Sequence, residues 1–319
     1  MRYLRYFLMI LALTAATFTT PAIGDAAYPS RPITLVVPYG AGGITDILGR
    51  LVAAGMNKEL GVNVVVKNVV GAATTMGANE VATARPDGYT LGFFPSSTLT
   101  IQPHLLKNLE YSADTMIPIA QVMREYQVLL CSKNAPWTDY KTMFDEIKKN
   151  PGKYFYTSTA SGNGPHIGQE TLFRAIGLNV RMLPVKSGAE AIQAMYSGTG
   201  HFYTEYPSVA RPNELWGVAI FGPERSPIMP DVPTFKELGV DVPYVFSWIV
   251  VFAPPKTPQH IIDALDAALK KVVHSKELAE GFSKMDTPVR YMAGSELKET
   301  ILRESEEKGK LLRELGFVK

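Results

Sequence analysis

Apolar positions along the chain switch repeatedly between two spacings. "ITLVVPY" (33–39) is a continuous apolar run of strand length. After a glycine-rich turn, "ITDILGRLVAAGMNKEL" places Ile44, Ile47, Leu48, Leu51, Val52 and Met56 at helical spacing, and Gly61 stops the helix. "VNVVVKN" predicts a second strand, "GANEVATA" a short helix and "YTLGFFP" a third strand. Strands alternating with helices in this order predict a parallel sheet with helices on its faces.

A second set begins near residue 117. "IPIAQVMREYQVLLCSK" reads as one or two strands, and "TDYKTMFDEIKKN" as a helix capped by Thr138 and stopped by Pro151-Gly152. "KYFYTS", "VRMLPV" and "WGVAIFG" read as strands, and "GPHIGQETLFRAIG" and "GAEAIQAMYSG" as helices. A strand "SWIVVFAP" and the helices "TPQHIIDALDAALKKVV" and "GSELKETILRESEEKGKLLREL" close the chain. The expected fold is α/β with two lobes, each a mainly parallel sheet flanked by helices. Residues 27–124 plus 250–319 would form lobe 1 and 125–249 lobe 2, with hinge strands near 124–126 and 246–248. Ligands of open α/β sheets bind beyond the carboxyl ends of the strands, so two facing ends predict a cleft that closes by hinge motion.

Composition narrows the function. Arg2 and Arg5, an apolar core from about Tyr6 to Phe18, and small residues at Ala22, Gly24 and Ala26 have the order of a secretory signal, so residues 1–26 are set apart from the fold. An uncleaved anchor or a lipid-anchored start is the alternative, the latter disfavoured because no Cys stands near the cleavage region. The net charge of +2 and the absence of a basic stripe argue against nucleic acid. Cys131 is the only cysteine, so there is no internal disulfide, and an exported chain of this kind suits a bacterial periplasm. No metal-ligand spacing and no G-x-S-x-G elbow occurs. A binding role without cofactor or metal is therefore preferred to an exported hydrolase.

The chemistry concentrates at strand ends. "YGAGGITD" joins a strand to a helix whose first N–H groups lack intrahelical partners. It has neither the Lys of a phosphate-binding P-loop nor the last Gly of a dinucleotide loop, so a carboxylate is the expected guest. The alternative is a tight turn alone, with Thr45 or Asp46 as helix cap. Ser96 and Ser97 end one strand, Ser158 to Gly164 with His166 follow another, and Lys186, Ser187 and Gly188 a third. Four donor-rich ends converging on one cleft would hold an anion with several oxygens.

These residues sit in motifs that resemble the tripartite tricarboxylate transporter substrate-binding proteins, also called Bug receptors. The motifs are "YPSRPI" (28–33) with "VVPYGAGGITD", "RPDGYTLGF", "NPGKYFYTSTASGNGPH", "RSPIMPDVPTF" and "SWIVVFAPPKTP", in that order. The resemblance implies a two-lobed periplasmic receptor, expected to act as a monomer. It would close on a di-, tri- or aromatic carboxylate and deliver it to integral-membrane permease subunits; a sensor subunit is the alternative role. Carried over by motif, the contacts are Tyr39, Gly40, Ala41, Gly42, Gly43, Thr45, Asp46, Ser96 and Ser97 from lobe 1. From lobe 2 they are Ser158, Ser161, Gly162, Asn163, Gly164, His166, Lys186, Ser187 and Gly188; Glu205 is a further candidate from the residues themselves, outside the family's pattern.

The sequence departs from the family where it reads Lys186-Ser187-Gly188 and "SGTGHFYTEYPS". His166 is either a ligand donor or a residue near a helix start, and Lys186 either neutralises a carboxylate or is solvated. Glu205 is expected to pair with a nearby Arg or Lys, the alternative being an amine on the ligand. Tyr39 and Tyr206 stack on an aromatic ligand or merely pack, and Trp248 is expected in the core at the lobe junction.

Overall fold

The computed structural model describes residues 28–137, 139–159 and 163–318. The signal-like segment 1–26, the expected cap Thr138, and Ser161 and Gly162 lie outside the described residues.

In the first sheet, β1 (Ile33–Val37) pairs in parallel with both β2 (Val64–Asn68) and β3 (Thr90–Pro95). Ile33, Leu35, Val36 and Val37 are completely buried. Both faces of β1 are thus covered, which is why its sequence is a run rather than an alternation. Helix α1 (Ile44–Leu60) buries Leu48, Val52, Ala53 and Met56, the face that helical spacing predicts. It lies close to the sheet because position 49 is glycine: a Cβ there would sit 3.0 Å from Val37 Cγ2 and 3.4 Å from Phe93 Cδ1. The helix ends at Gly61, whose φ of 69° is left-handed and whose N–H reaches the Asn57 carbonyl at 3.1 Å.

Three antiparallel strands complete this sheet: β4 (Ile117–Tyr126), β10 (Phe246–Ala253) and β11 (Val289–Ala293), in the order β11-β4-β10-β3-β1-β2. The second sheet runs β7 (Arg181–Pro184), β6 (Phe155–Ser158), β8 (Phe202–Glu205), β5 (Val128–Ser132), β9 (Leu215–Ile220). There β6 is parallel to β7 and β8, whereas β5 is antiparallel to β8 and β9. Both sheets are therefore mixed. The expected parallel pairing holds in the strand–helix–strand parts. It gives way where β4 leaves for the second sheet and β10 returns beside it, because an outgoing and a returning strand must run oppositely.

The crossing is narrow. β4 and β10 stay paired from Ile117 opposite Ala253 to Tyr126 opposite Phe246, so Phe246–Ile249 belong to the first sheet rather than to the second lobe as expected. The chain passes over at Gln127, whose N–H reaches the Val245 carbonyl at 2.8 Å and whose carbonyl accepts the Phe221 N–H at 2.8 Å.

Helix α10 (Gly294–Glu314) packs along the first sheet, where the wholly buried Trp248 donates Nε1–H to Glu304 Oε2 at 3.0 Å. The helix Tyr140–Lys149 is capped by Asp139, one residue after the expected Thr138: its carboxylate accepts the Thr142 N–H at 2.9 Å, and Thr142 Oγ1 accepts the Asp139 N–H at 3.2 Å.

Candidate functional site

A cavity of about 640 Å³ opens where the carboxyl ends of the two sheets face each other. Of the expected contacts, Tyr39, Gly40, Gly43, Thr45, Ser96, Ser97, Asn163, Gly164, Lys186, Ser187, Gly188 and Glu205 line it.

The glycine turn forms one wall, and its donors are distributed differently from expectation. Gly42, at φ 83°, spends its N–H on Asp46 Oδ2 at 2.9 Å. Asp46 also accepts Arg50 Nε and Nη2, each at 2.9 Å, and Asn68 Nδ2 at 2.8 Å. The Arg50 hydrogen bond, with those of Asn68 and Gly42, holds this carboxyl down to about 2 against the cost of desolvation. Asp46 is thus buried behind the turn and fixes it, and neither Asp46, Ala41 nor Gly42 lines the cavity. Gly43, with φ −75° and ψ 164°, is the N-cap of α1, so neither Thr45 nor Asp46, the caps of the tight-turn alternative, holds that position. The first helical N–H groups, those of Ile44 and Thr45, make no hydrogen bond to another described residue, and both residues line the cavity.

Ser96 and Ser97 follow β3 on the same wall. The Ser96 N–H is held by the Trp248 carbonyl at 2.9 Å, which anchors the turn to β10. Neither hydroxyl is hydrogen-bonded among the described residues, so both remain for a ligand.

The second sheet supplies the opposite wall. Ser187 caps helix α7 (Gly188–Ser197), its hydroxyl accepting the Glu190 N–H at 3.2 Å, while Glu190 Oε2 accepts the Lys186 N–H at 2.7 Å. This leaves the N–H of Gly188 at the helix start and the Lys186 ammonium, which makes no ion pair among the described residues, at the cavity wall. Asn163 caps helix α6 (Gly164–Ala175): its Oδ1 accepts the His166 N–H at 2.9 Å and the Ser158 hydroxyl at 3.1 Å. Ser158 and His166 therefore support the cap and do not line the cavity. The His166 ring is buried 5.1 Å from the Phe317 ring, outside the cavity wall, and desolvation lowers its pKa.

Glu205 ends β8 in the cavity wall, and among the described residues it has no basic partner, contrary to the expected pairing. Its Oε2 accepts the Tyr203 hydroxyl at 2.8 Å and its Oε1 the Tyr206 N–H at 3.0 Å. Burial pushes its pKa up, and these two hydrogen bonds only partly oppose the rise. Beneath it, buried Glu125 is pushed up to about 8, first by desolvation and then by the charges of Glu205 and Asp286.

A third wall was missed. Glu304 and Lys308, one turn apart on α10, also line the cavity. Burial raises Glu304 to about 7 and lowers Lys308. Nothing near them in sequence marks a site. Only the packing of α10 beside Trp248 brings them there.

Comparisons with known proteins give the family and the fold. The pattern of the tripartite tricarboxylate transporter family receptor matches residues 48–317. A UPF0065 protein of Bordetella pertussis is 31% identical over 294 residues, covering 91% of each chain. The protein BugT of the same organism is 30% identical over 284 residues, covering 87% of each. Among solved structures, the periplasmic binding protein BugD superposes with a TM-score of 0.80 at 27% identity, over 92% of this chain and 100% of that one. MatC of Rhodopseudomonas palustris, solved with bound malate, superposes at 0.78 with 27% identity, over 89% of this chain and 100% of that one. The chain belongs to the tripartite tricarboxylate transporter receptor family and is a solute-binding protein of two α/β lobes, not an enzyme.

Proposed function

We propose that this chain, once exported to the periplasm, captures a small carboxylate between its lobes and hands it to integral-membrane permease subunits. One observation carries the reading: two helix starts, two free serine hydroxyls and an unpaired lysine, drawn from both sheets, line a single cavity. Free N–H groups at a helix start favour an anion, and each charge-assisted hydrogen bond contributes ~1.5–3 kcal/mol. A cavity of about 640 Å³ suits a small organic acid. The malate in MatC is a ligand of this chemical class in a relative.

The crossings at Gln127 and just before Phe246 are proposed as the hinge, because there the chain passes between the sheets beside the cavity. Ligand closure should then reduce the radius of gyration in solution scattering.

A thermal-shift screen of mono-, di-, tricarboxylic and aromatic acids tests the proposal. An acid at a hundred times its dissociation constant should stabilise the folded state by ~2.7 kcal/mol. A screen in which no acid raises the melting temperature would overturn it.

A further inference from the structure

One corner of the cavity is wrong for a ligand that is only an anion. Glu205 contributes a carboxylate to the wall, and no lysine, arginine or histidine among the described residues pairs with it. Its two hydrogen bonds, from the Tyr203 hydroxyl and the Tyr206 N–H, bring dipoles but no charge. A carboxylate withdrawn from water needs a positive partner as well as hydrogen bonds. Its surroundings work the other way. The neighbouring carboxyl, Glu125, brings no positive charge either, and its Oε2 is itself buried without a hydrogen-bond partner among the described residues.

Gln127 supplies a second, independent sign. It lines the same cavity, is 5% exposed, and its side-chain oxygen is buried with no hydrogen-bond partner among the described residues. The cavity thus holds two acceptors in need of donors, one of them charged. On the first sheet's wall the free N–H groups at Ile44 and Thr45 and the serine hydroxyls are donors in need of acceptors, and on Glu205's own wall the N–H of Gly188 is another. A plain diacid satisfies the second set and faces the first with the wrong sign.

We infer that the ligand carries a cationic nitrogen beside its carboxylate, seated on Glu205 within reach of Gln127: an amino-acid-like zwitterion and not a plain diacid. This rests on the carboxylate-receptor reading and narrows it. The ammonium gives Glu205 its missing charge partner and Gln127 its missing donor, while the helix starts take the carboxylate. The adjacent phenols fit the same role. Tyr206 lines the cavity, and Tyr39 lies close enough to Glu205 that, after desolvation, the Glu205 charge is what raises its pKa.

Calorimetric titration with matched probes tests this. The pairs are L-aspartate and succinate, L-glutamate and glutarate, and 4-(aminomethyl)benzoate and 4-methylbenzoate. In at least one pair the amino member should bind wild type about tenfold or more tightly than its plain partner. In Glu205→Gln that preference should fall to about unity or reverse, through loss of the amino member with the plain acid held or improved. Plain acids binding as well as or better than their amino partners in every pair would overturn the inference and leave the carboxylate reading standing. So would a preference that survives in Glu205→Gln. Wild type that binds none of the amino probes overturns it without recourse to the variant. If no acid of any kind binds, the carboxylate reading falls and takes this inference with it.

Discussion

Asp46 accepts the N–H of Gly42 at 2.9 Å, so the glycine turn is closed from behind by a carboxylate of its own helix. The turn therefore offers a ligand the donors of Ile44 and Thr45 and not that of Gly42. Asp46→Ala should loosen the turn, leave Arg50 and Asn68 without their acceptor, and cost ~1–3 kcal/mol of stability at neutral pH. Affinity should fall with it. The folded pKa of Asp46, about 2, lies below its ordinary 3.8. The stability it contributes is present above about 3.8 and is lost as pH falls through about 2. Acid unfolding of Asp46→Asn, followed by circular dichroism, should be flatter than wild type across that window.

Gly43 is expected to tolerate a side chain structurally but not functionally. Its φ of −75° and ψ of 164° suit a β-branched residue, and an added Cβ would stand 3.5 Å from the Gly40 carbonyl, ordinary contact. The side chain would enter the cavity wall. Gly43→Val should keep its melting temperature and lose affinity by about tenfold or more. Unchanged affinity would remove the turn from the site.

Lys186 stands at the α7 start with no ion pair among the described residues. Lys186→Met should weaken a ligand bearing two carboxylates more than one bearing a single carboxylate, because a point charge on a flexible stem adds to the fixed backbone donors. Parallel titrations of the two ligand types read the difference. Equal losses for both, or none for either, would take Lys186 out of that role.

Glu125 gives the fold a pH dependence of the opposite sign to that of Asp46. Its folded pKa of about 8 lies above the ordinary 4.5, so the folded chain holds a proton that the unfolded chain releases in between. The stability from this is complete below about 4.5 and is lost as pH rises through about 8. Glu125→Gln should match wild type at about pH 4 and exceed it by ~1–3 kcal/mol at about pH 9 in denaturant titrations.

The elements carried by strong periodicity were legible. β1, α1 and β3 stand where the apolar spacing put them, because burial on both faces of a strand or one face of a helix writes itself into local sequence. β8 was not legible: "FYTE" is four residues long with a polar end, and its place in the middle of the second sheet depends on pairing with β5 and β6, which are distant in the chain. The site divided in the same way. The helix-start turns were readable from glycines and small hydroxyls, since that chemistry is local. Which of those groups are spent internally was not, because it depends on partners such as Glu190 and Asn68. Glu304 and Lys308 were invisible for the same reason.

The central claim is that ligand binds in the cleft between the sheets. It is tested most directly by calorimetric titration of the best acid from the screen into wild type and into Ser97→Trp, where an indole would fill the space beside the free serine hydroxyls. Wild type should bind one equivalent, and Ser97→Trp should bind at least about a hundredfold more weakly at an unchanged melting temperature. Binding of equal strength to both proteins would place the ligand elsewhere and contradict the account.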